Sequence, residues 1–212
     1  MRTIPREVYL KVKNDFKLSR IQKDILVGTL LGDASLKMRK VDARLCIKHS
    51  LNQLALVENK RKIFRNIVNM GISKFSQRVG KKNYQFAEFA SLTHSDFTKY
   101  YVLFYPKGKK VVPKKIRLML EPISLAYWIM DDGSPEYSGV SIQTHSFSKK
   151  EVNLLIDVLK EKFGLESNIR RNKKHWIIYF PKKSINNLRL LIKPYLLDDY
   201  NYKLLPYTFR SK

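Results

Sequence analysis

Apolar residues recur at helical spacing over residues 19–33 and again over 122–132, and each run gives way to short stretches in which polar and apolar residues alternate. The first period is that of a buried helix and the second that of a half-buried strand. Ser19 and Gln22 have the spacing of a capping box at the head of the first helix. Strands are predicted at 35–40 and 44–50, with a turn near 41–43, then a helix over 52–69. Strands at 73–79 and 84–92 follow, then a helix over 95–104. After the second apolar helix come strands at 134–137 and 140–145 and a helix over 148–163. Strands at 167–171 and 176–180 follow, then a helix from 184 to about 196, kinked or ended at Pro194.

The two series share landmarks. An apolar helix ends in an aspartate at Asp33 and at Asp132, and a strand ends in His49-Ser50 and in His145-Ser146. A basic tetrad reads Lys110-Val-Val-Pro113 and Lys203-Leu-Leu-Pro206. The offsets are 99, 96 and 93 residues, so the chain is read as a duplication of about 100 residues. The helix after each His-Ser pair has a cap. Ser148 and Glu151 form a capping box, with Phe147 and Val152 as its staple. In the first copy Asn52 is the expected cap, with Leu51 and Leu56 as staple. Strand pairs beside helices, twice over, indicate an α+β fold with boundaries at 1–106 and 107–212.

The strand alternation has a sign. One face is apolar, and the other carries Lys37, Arg39, Arg44 and Lys48 in the first copy and Ser141, Gln143 and His145 in the second. The turns between later strands add Arg78, Lys81 and Lys82, and Arg170, Arg171, Lys173 and Lys174. A two-stranded ribbon with such side chains fits the major groove of duplex DNA.

Composition narrows the class. Lys and Arg number 42 against 18 Asp and Glu, a net charge of +24 spread along the chain, which points to a polyanionic partner. Hydrophobic residues make up 44%, enough for a core. One cysteine, Cys46, excludes a disulfide scaffold. No apolar run approaches the roughly 18–20 residues of a membrane span, so no membrane partner is expected. Abundant Lys, Ile, Asn, Tyr and Phe have A+T-rich codons, which points to an A+T-rich genome such as an organelle's; the expected location is intracellular, in an organelle (mitochondrion or plastid) or a microbial cytoplasm.

Asp33 and Asp132 sit at the negative end of a helix macrodipole, which costs about 0.3–1 kcal/mol each unless something cationic compensates. Backbone N–H groups in a turn are one answer. A divalent ion is another, and with few histidines and one cysteine the oxygen donors suit Mg²⁺ better than Zn²⁺. Gly28 and Gly32, one turn apart, make a surface on which a second backbone can approach.

Leu26-Val-Gly-Thr-Leu-Leu-Gly-Asp33-Ala34 and Leu125-Ala-Tyr-Trp-Ile-Met-Asp-Asp132-Gly133 resemble the two motif copies of the single-chain LAGLIDADG homing endonucleases of organellar introns. The resemblance implies two αββαββα halves related by pseudo-twofold symmetry, joined through the motif helices, each with a DNA-binding antiparallel sheet. It also implies a monomer that cuts both strands of a long duplex DNA site, with Mg²⁺ or Mn²⁺. Asp33 and Asp132, the eighth motif residues, would be catalytic and metal-binding, with Gly32 and Asp131 beside them in the metal sites. Lys110 and Lys203 would stabilise charge at the scissile phosphates, with water as nucleophile. Three departures stand out: Ala34 replaces the terminal glycine, and Tyr127 and Asp131 replace small residues, so the two sides of the helix seam cannot pack alike. The spacing from aspartate to histidine is 13 residues in the second copy against 16 in the first, so its first hairpin should make fewer base contacts.

The alternative within the family is a maturase that binds intron RNA and assists group I splicing; both aspartates and both lysines being intact favours the nuclease. A noncatalytic DNA-binding module would need no carboxylate at either helix end. A ribosomal-type RNA binder accounts for the charge but not for the duplication.

Overall fold

The computed structural model describes residues 6–205; Pro206, the end of the second tetrad, lies outside them. Two compact units divide the chain, one of residues 1–23 and 33–103, the other of 24–32 and 104–212. The division falls inside one helix, so neither unit is continuous in sequence.

The first unit contains α1 (Arg6–Asp15), the start of α2 (Arg20–Leu31), β1 (Ser35–Met38), β2 (Ala43–Ser50), α3 (Leu54–Ile63), β3 (Ser73–Val79), β4 (Lys82–Ala90) and α4 (Ser95–Phe104). Its strands form one antiparallel sheet in the order β1-β2-β4-β3. α3 packs on β2 and β4. The buried face is Leu45 and Ile47 of β2 and Ala87 and Phe89 of β4, and α3 brings Leu56 and Val57.

The second unit contains the end of α2, α5 (Ile116–Met119), α6 (Pro122–Asp132), β5 (Gly133–Glu136), β6 (Gly139–Gln143), α7 (Lys149–Phe163), β7 (Asn168–Asn172), β8 (His175–Pro181) and α8 (Lys182–Ile192). Its sheet repeats the first topology, β5-β6-β8-β7, all antiparallel. α7 packs on β7 and β8, and α8 on β6 and β8. The fold is therefore α+β with a four-stranded sheet of the same order in each unit, as the duplication predicts.

Local signals set several of these boundaries. Ser19 Oγ accepts from Gln22 N and Gln22 Oε1 from Ser19 N, closing the first capping box. Ser148 and Glu151 close the second, and Gly164 ends α7 in the left-handed conformation. α8 ends at Ile192, and Pro194 lies in a 3-10 turn over Lys193–Tyr195. Asn52 does not cap α3. It sits inside a 3-10 turn, Leu51–Gln53, whose preceding Ser50 makes no side-chain cap bond. α1 was not expected from the pattern. It is tied down by Lys13, whose Nζ donates to Asp42 Oδ2 at 2.7 Å.

Candidate active site and nucleic-acid surface

The first motif helix packs against the second over Asp24–Gly32, all within the second unit. Ser124 Oγ donates to the Asp24 carbonyl at 2.6 Å. A Cβ at Gly28 would overlap the Ser124 carbonyl, so the backbones approach here as closely as glycine allows. At Gly32 the neighbour is instead the Asp131 side chain, and a Cβ there would lie 2.5 Å from its Oδ2. The seam is asymmetric because each side supplies a different group: glycines from α2, backbone and a carboxylate from α6. Asp131 is buried and accepts from Thr29 Oγ1 at 3.0 Å. Tyr127, where the other motif copy has Gly28, has its phenol pushed up to about 12 by burial and then by the Asp131 charge.

The two tetrad lysines have matching targets. Lys110 Nζ donates to the carbonyl of Gly32 at 2.6 Å. Lys203 Nζ donates to the carbonyls of Met130 at 2.6 Å and Asp131 at 3.1 Å. Gly32 and Asp131 are the seventh residues of their motifs, so each lysine caps the carbonyl just before the motif aspartate. An ammonium at a helix C-terminus also supplies the positive charge that the aspartates there call for. Lys203 is buried and Lys110 half-buried. The tetrad spacing located both lysines, but not the carbonyls they would meet.

Asp132 is half-buried and Asp33 exposed. Asp33 Oδ2 lies 3.2 Å from His49 Nδ1 in the first unit, and His49 Nε2 lies 3.1 Å from Lys60 Nζ. Lys60 was not singled out in the sequence. The signal for it was its place three and four residues beyond Val57 and Leu56, on the apolar stripe of α3.

Asp33 also lines a groove over the open face of the first sheet, together with Lys37, Arg44 and Lys48. Lys48 donates to Gln77 at 2.8 Å and its ammonium sits 4.1 Å over the Phe86 ring, which holds a long side chain in one place. Arg39 is not on the strand. β1 ends at Met38, and Arg39 N donates to Asp42 O across the loop before β2. Arg78, Lys81 and Lys82 are exposed around the hairpin whose turn is Gly80-Lys81.

In the second sheet Arg170, Arg171, Lys173 and Lys174 are exposed. Lys173 holds φ at +54° at the hairpin tip, a conformation that Gly80 (φ +61°) takes in the first hairpin. Gln143 is half-buried and donates to Ser141 Oγ. Ser141 itself is fully buried, where the alternation predicts an open face. It pairs in register with Tyr179, and Arg170 stacks 3.1 Å over that ring, so side chains of β7 and β8 cover β6. β6 ends at Gln143, and His145 lies beyond it, exposed, with its ring stacked 4.5 Å from His175. Burial and then His175 lower its pKa. The β5–β6 loop has two residues where the β1–β2 loop has four.

A four-stranded antiparallel sheet present in each unit, with basic side chains on the open face of the first and at the hairpin tips of both, together with the two motif aspartates, is the build of a protein that grips a nucleic acid and acts on its backbone. Residues 23–188 match the LAGLIDADG DNA endonuclease family; the chain belongs to that family and is a DNA endonuclease. It is 38% identical over 142 residues to intron-encoded endonuclease ai4 of Dictyostelium discoideum, covering 66% of this chain and 89% of that one. It is 30% identical over 195 residues to cytochrome b mRNA maturase bI2 of Saccharomyces cerevisiae, covering 85% and 46%. Among solved structures, the homing endonuclease I-WcaI bound to its DNA recognition sequence is 28% identical, with TM-score 0.89 over 97% of this chain and 95% of that one. I-DmoI in complex with DNA and Mn shares the fold at 14% identity, with TM-score 0.51 over 83% and 98%. Among the described residues no helix is long and apolar enough to cross a membrane.

Proposed function

We propose that this chain cuts both strands of a long duplex DNA site by hydrolysis, as a monomer, with Asp33 and Asp132 each serving one strand and residues 1–106 and 107–212 as the two repeat halves. The observation that carries the reading is the matched pair of lysine bonds, Lys110 to the Gly32 carbonyl and Lys203 to that of Asp131. Two lysines at equal places in a duplicated chain, each beside a motif aspartate, are what a two-strand reaction needs.

The donors around each aspartate are carboxylate and carbonyl oxygens, which fit Mg²⁺ or Mn²⁺. Asp33 with the Gly32 carbonyl, and Asp132 with the Asp131 carbonyl, would hold such ions; a carbonyl that accepts from lysine keeps a second lone pair. A divalent ion supplies positive charge to the scissile phosphate and lowers the pKa of water. Lys110 and Lys203 place ammonium groups beside the same positions, where they offset charge that develops on phosphorus. The basic strand faces and hairpin tips hold the phosphate backbone, and the groove residues Lys37, Arg44 and Lys48 reach base edges. The relatives encoded in introns support an organellar or microbial host.

The test is strand-labelled nicking of a duplex selected from a target library, with and without Mg²⁺. Asp33→Asn and Asp132→Asn should each abolish cutting of at least one strand and leave binding largely intact. Wild-type rates in both folded variants would overturn the assignment.

The maturase relative supports a second reading, binding of intron RNA. Splicing assistance by an Asp33→Asn, Asp132→Asn double variant that no longer cuts DNA would establish it.

A further inference from the structure

Glu88 stands on β4, an inner strand of the first sheet. Side chains alternate along the strand, so Ala87 and Phe89 are buried against the core and Glu88, half-buried, faces the other way. There it lines the same groove as Lys37, Arg44 and Lys48.

The register sets Lys48 of β2 directly opposite Glu88 on one side and Ser73 of β3 on the other. Opposite charges across such a pair attract, and their contact stabilises both strands. Here the contact is not made. The Lys48 ammonium donates to Gln77 at 2.8 Å and sits 4.1 Å over the Phe86 ring, away from its cross-strand carboxylate. Among the described residues the Glu88 side chain makes no hydrogen bond and no ion pair.

A carboxylate on a face that meets phosphates weakens binding unless it bonds to the ligand itself. An ionised carboxylate only accepts, so its partner must be a donor. The base edges in the major groove offer two kinds of donor, cytosine N4 and adenine N6. Adenine sets its N7 acceptor beside N6, and a carboxylate oxygen is repelled there. Guanine presents the acceptors O6 and N7, and thymine presents O4 and a methyl group. Cytosine alone has an amino group with no acceptor next to it on this edge.

We propose that Glu88 is a specificity-determining residue that reads one cytosine of the DNA site, accepting from its N4 amino group in the major groove. The inference rests on the reading that the open face of the first sheet reaches base edges. Gln77 and Phe86 hold Lys48, which leaves the carboxylate to the DNA rather than to its neighbour.

The test is selection from a randomised duplex library in metal-free buffer, followed by titration of the selected duplex and its single-base variants. The wild type should select cytosine at one position and bind that duplex about tenfold or more tightly than duplexes with another base there. Glu88→Ala should lose this preference and keep those at every other position. Glu88→Gln should turn it toward adenine, whose N6 and N7 an amide engages together. If the wild type selects a site and both variants keep every preference, the inference fails and the sheet remains a DNA surface. Uniform tightening on all duplexes in both variants would also sink it, since the carboxylate would then only offset charge. A wild type with no base preference at any position would overturn the base-edge reading, and this inference with it.

Discussion

Thr29 Oγ1 donates to Asp131 Oδ2 at 3.0 Å, one motif helix satisfying a carboxylate of the other. Asp131 is 6% exposed, and the space its side chain occupies exists because residue 32 has no Cβ. Its neighbour Asp132 points about 100° further round the helix and is more exposed. Two adjacent aspartates thus have different surroundings: one carboxylate is buried in the seam, the other is half-buried outside it.

Thr29→Val keeps the shape of the side chain and removes this donor from a buried carboxylate. It should destabilise the protein by about 1–3 kcal/mol, read from urea unfolding. A change within error would show that the Thr29 bond contributes nothing to the fold.

Gly28→Ala sets a methyl group against the Ser124 carbonyl, a backbone atom that cannot turn away. The expected loss is about 3 kcal/mol or more, since the helices must part. Gly71→Ala, where a Cβ meets nothing within 4 Å, is the control and should be near neutral in thermal melts.

Lys203→Met and Lys110→Met should differ. Lys203 is buried, whereas Lys110 is half-buried. The first variant should lose about 2–3 kcal/mol and the second about 1 kcal/mol. Both should slow nicking at temperatures where they stay folded. Equal stabilities would contradict the difference in burial.

Binding should depend steeply on salt. With a net charge of +24, contacts to about six phosphates would lower affinity roughly a thousandfold between about 50 and 200 mM salt. Titration of a fluorescent duplex measures the slope, and a flat response would remove the basic faces from the interface.

The Lys13 hydrogen bond, with help from Thr98, outweighs burial and holds the Asp42 carboxyl below its usual 3.8. A folded pKa below the unfolded one means that the ionised form stabilises the fold. This stability is present above about pH 3.8 and is lost as pH falls through the folded value. Asp42→Asn should therefore cost about 1 kcal/mol at pH 7, and the gap to wild type should close on acidification, as read from melts across pH.

The order of elements was legible in the sequence because its causes are local. The capping boxes at Ser19 and Ser148, the alternation through Arg44–Lys48 and the stop at Pro194 each act within a few residues. Duplication then made two weak patterns support one another, and the motif aspartates and tetrad lysines could be picked out by position. What tertiary structure decided was which polar groups meet. Ser141 has the alternation of an open strand face but is closed over by Tyr179 and Arg170, which lie about 30–40 positions away. Asp131 and Asp132 are identical in sequence, and only the packing of α2 makes one of them a buried acceptor. Lys60 reads as a charge on a helix, yet the packing of α3 on β2 sends its ammonium inward to His49. A side chain's type and period set which way it leaves the backbone; only the neighbours brought up by the fold determine what it meets there.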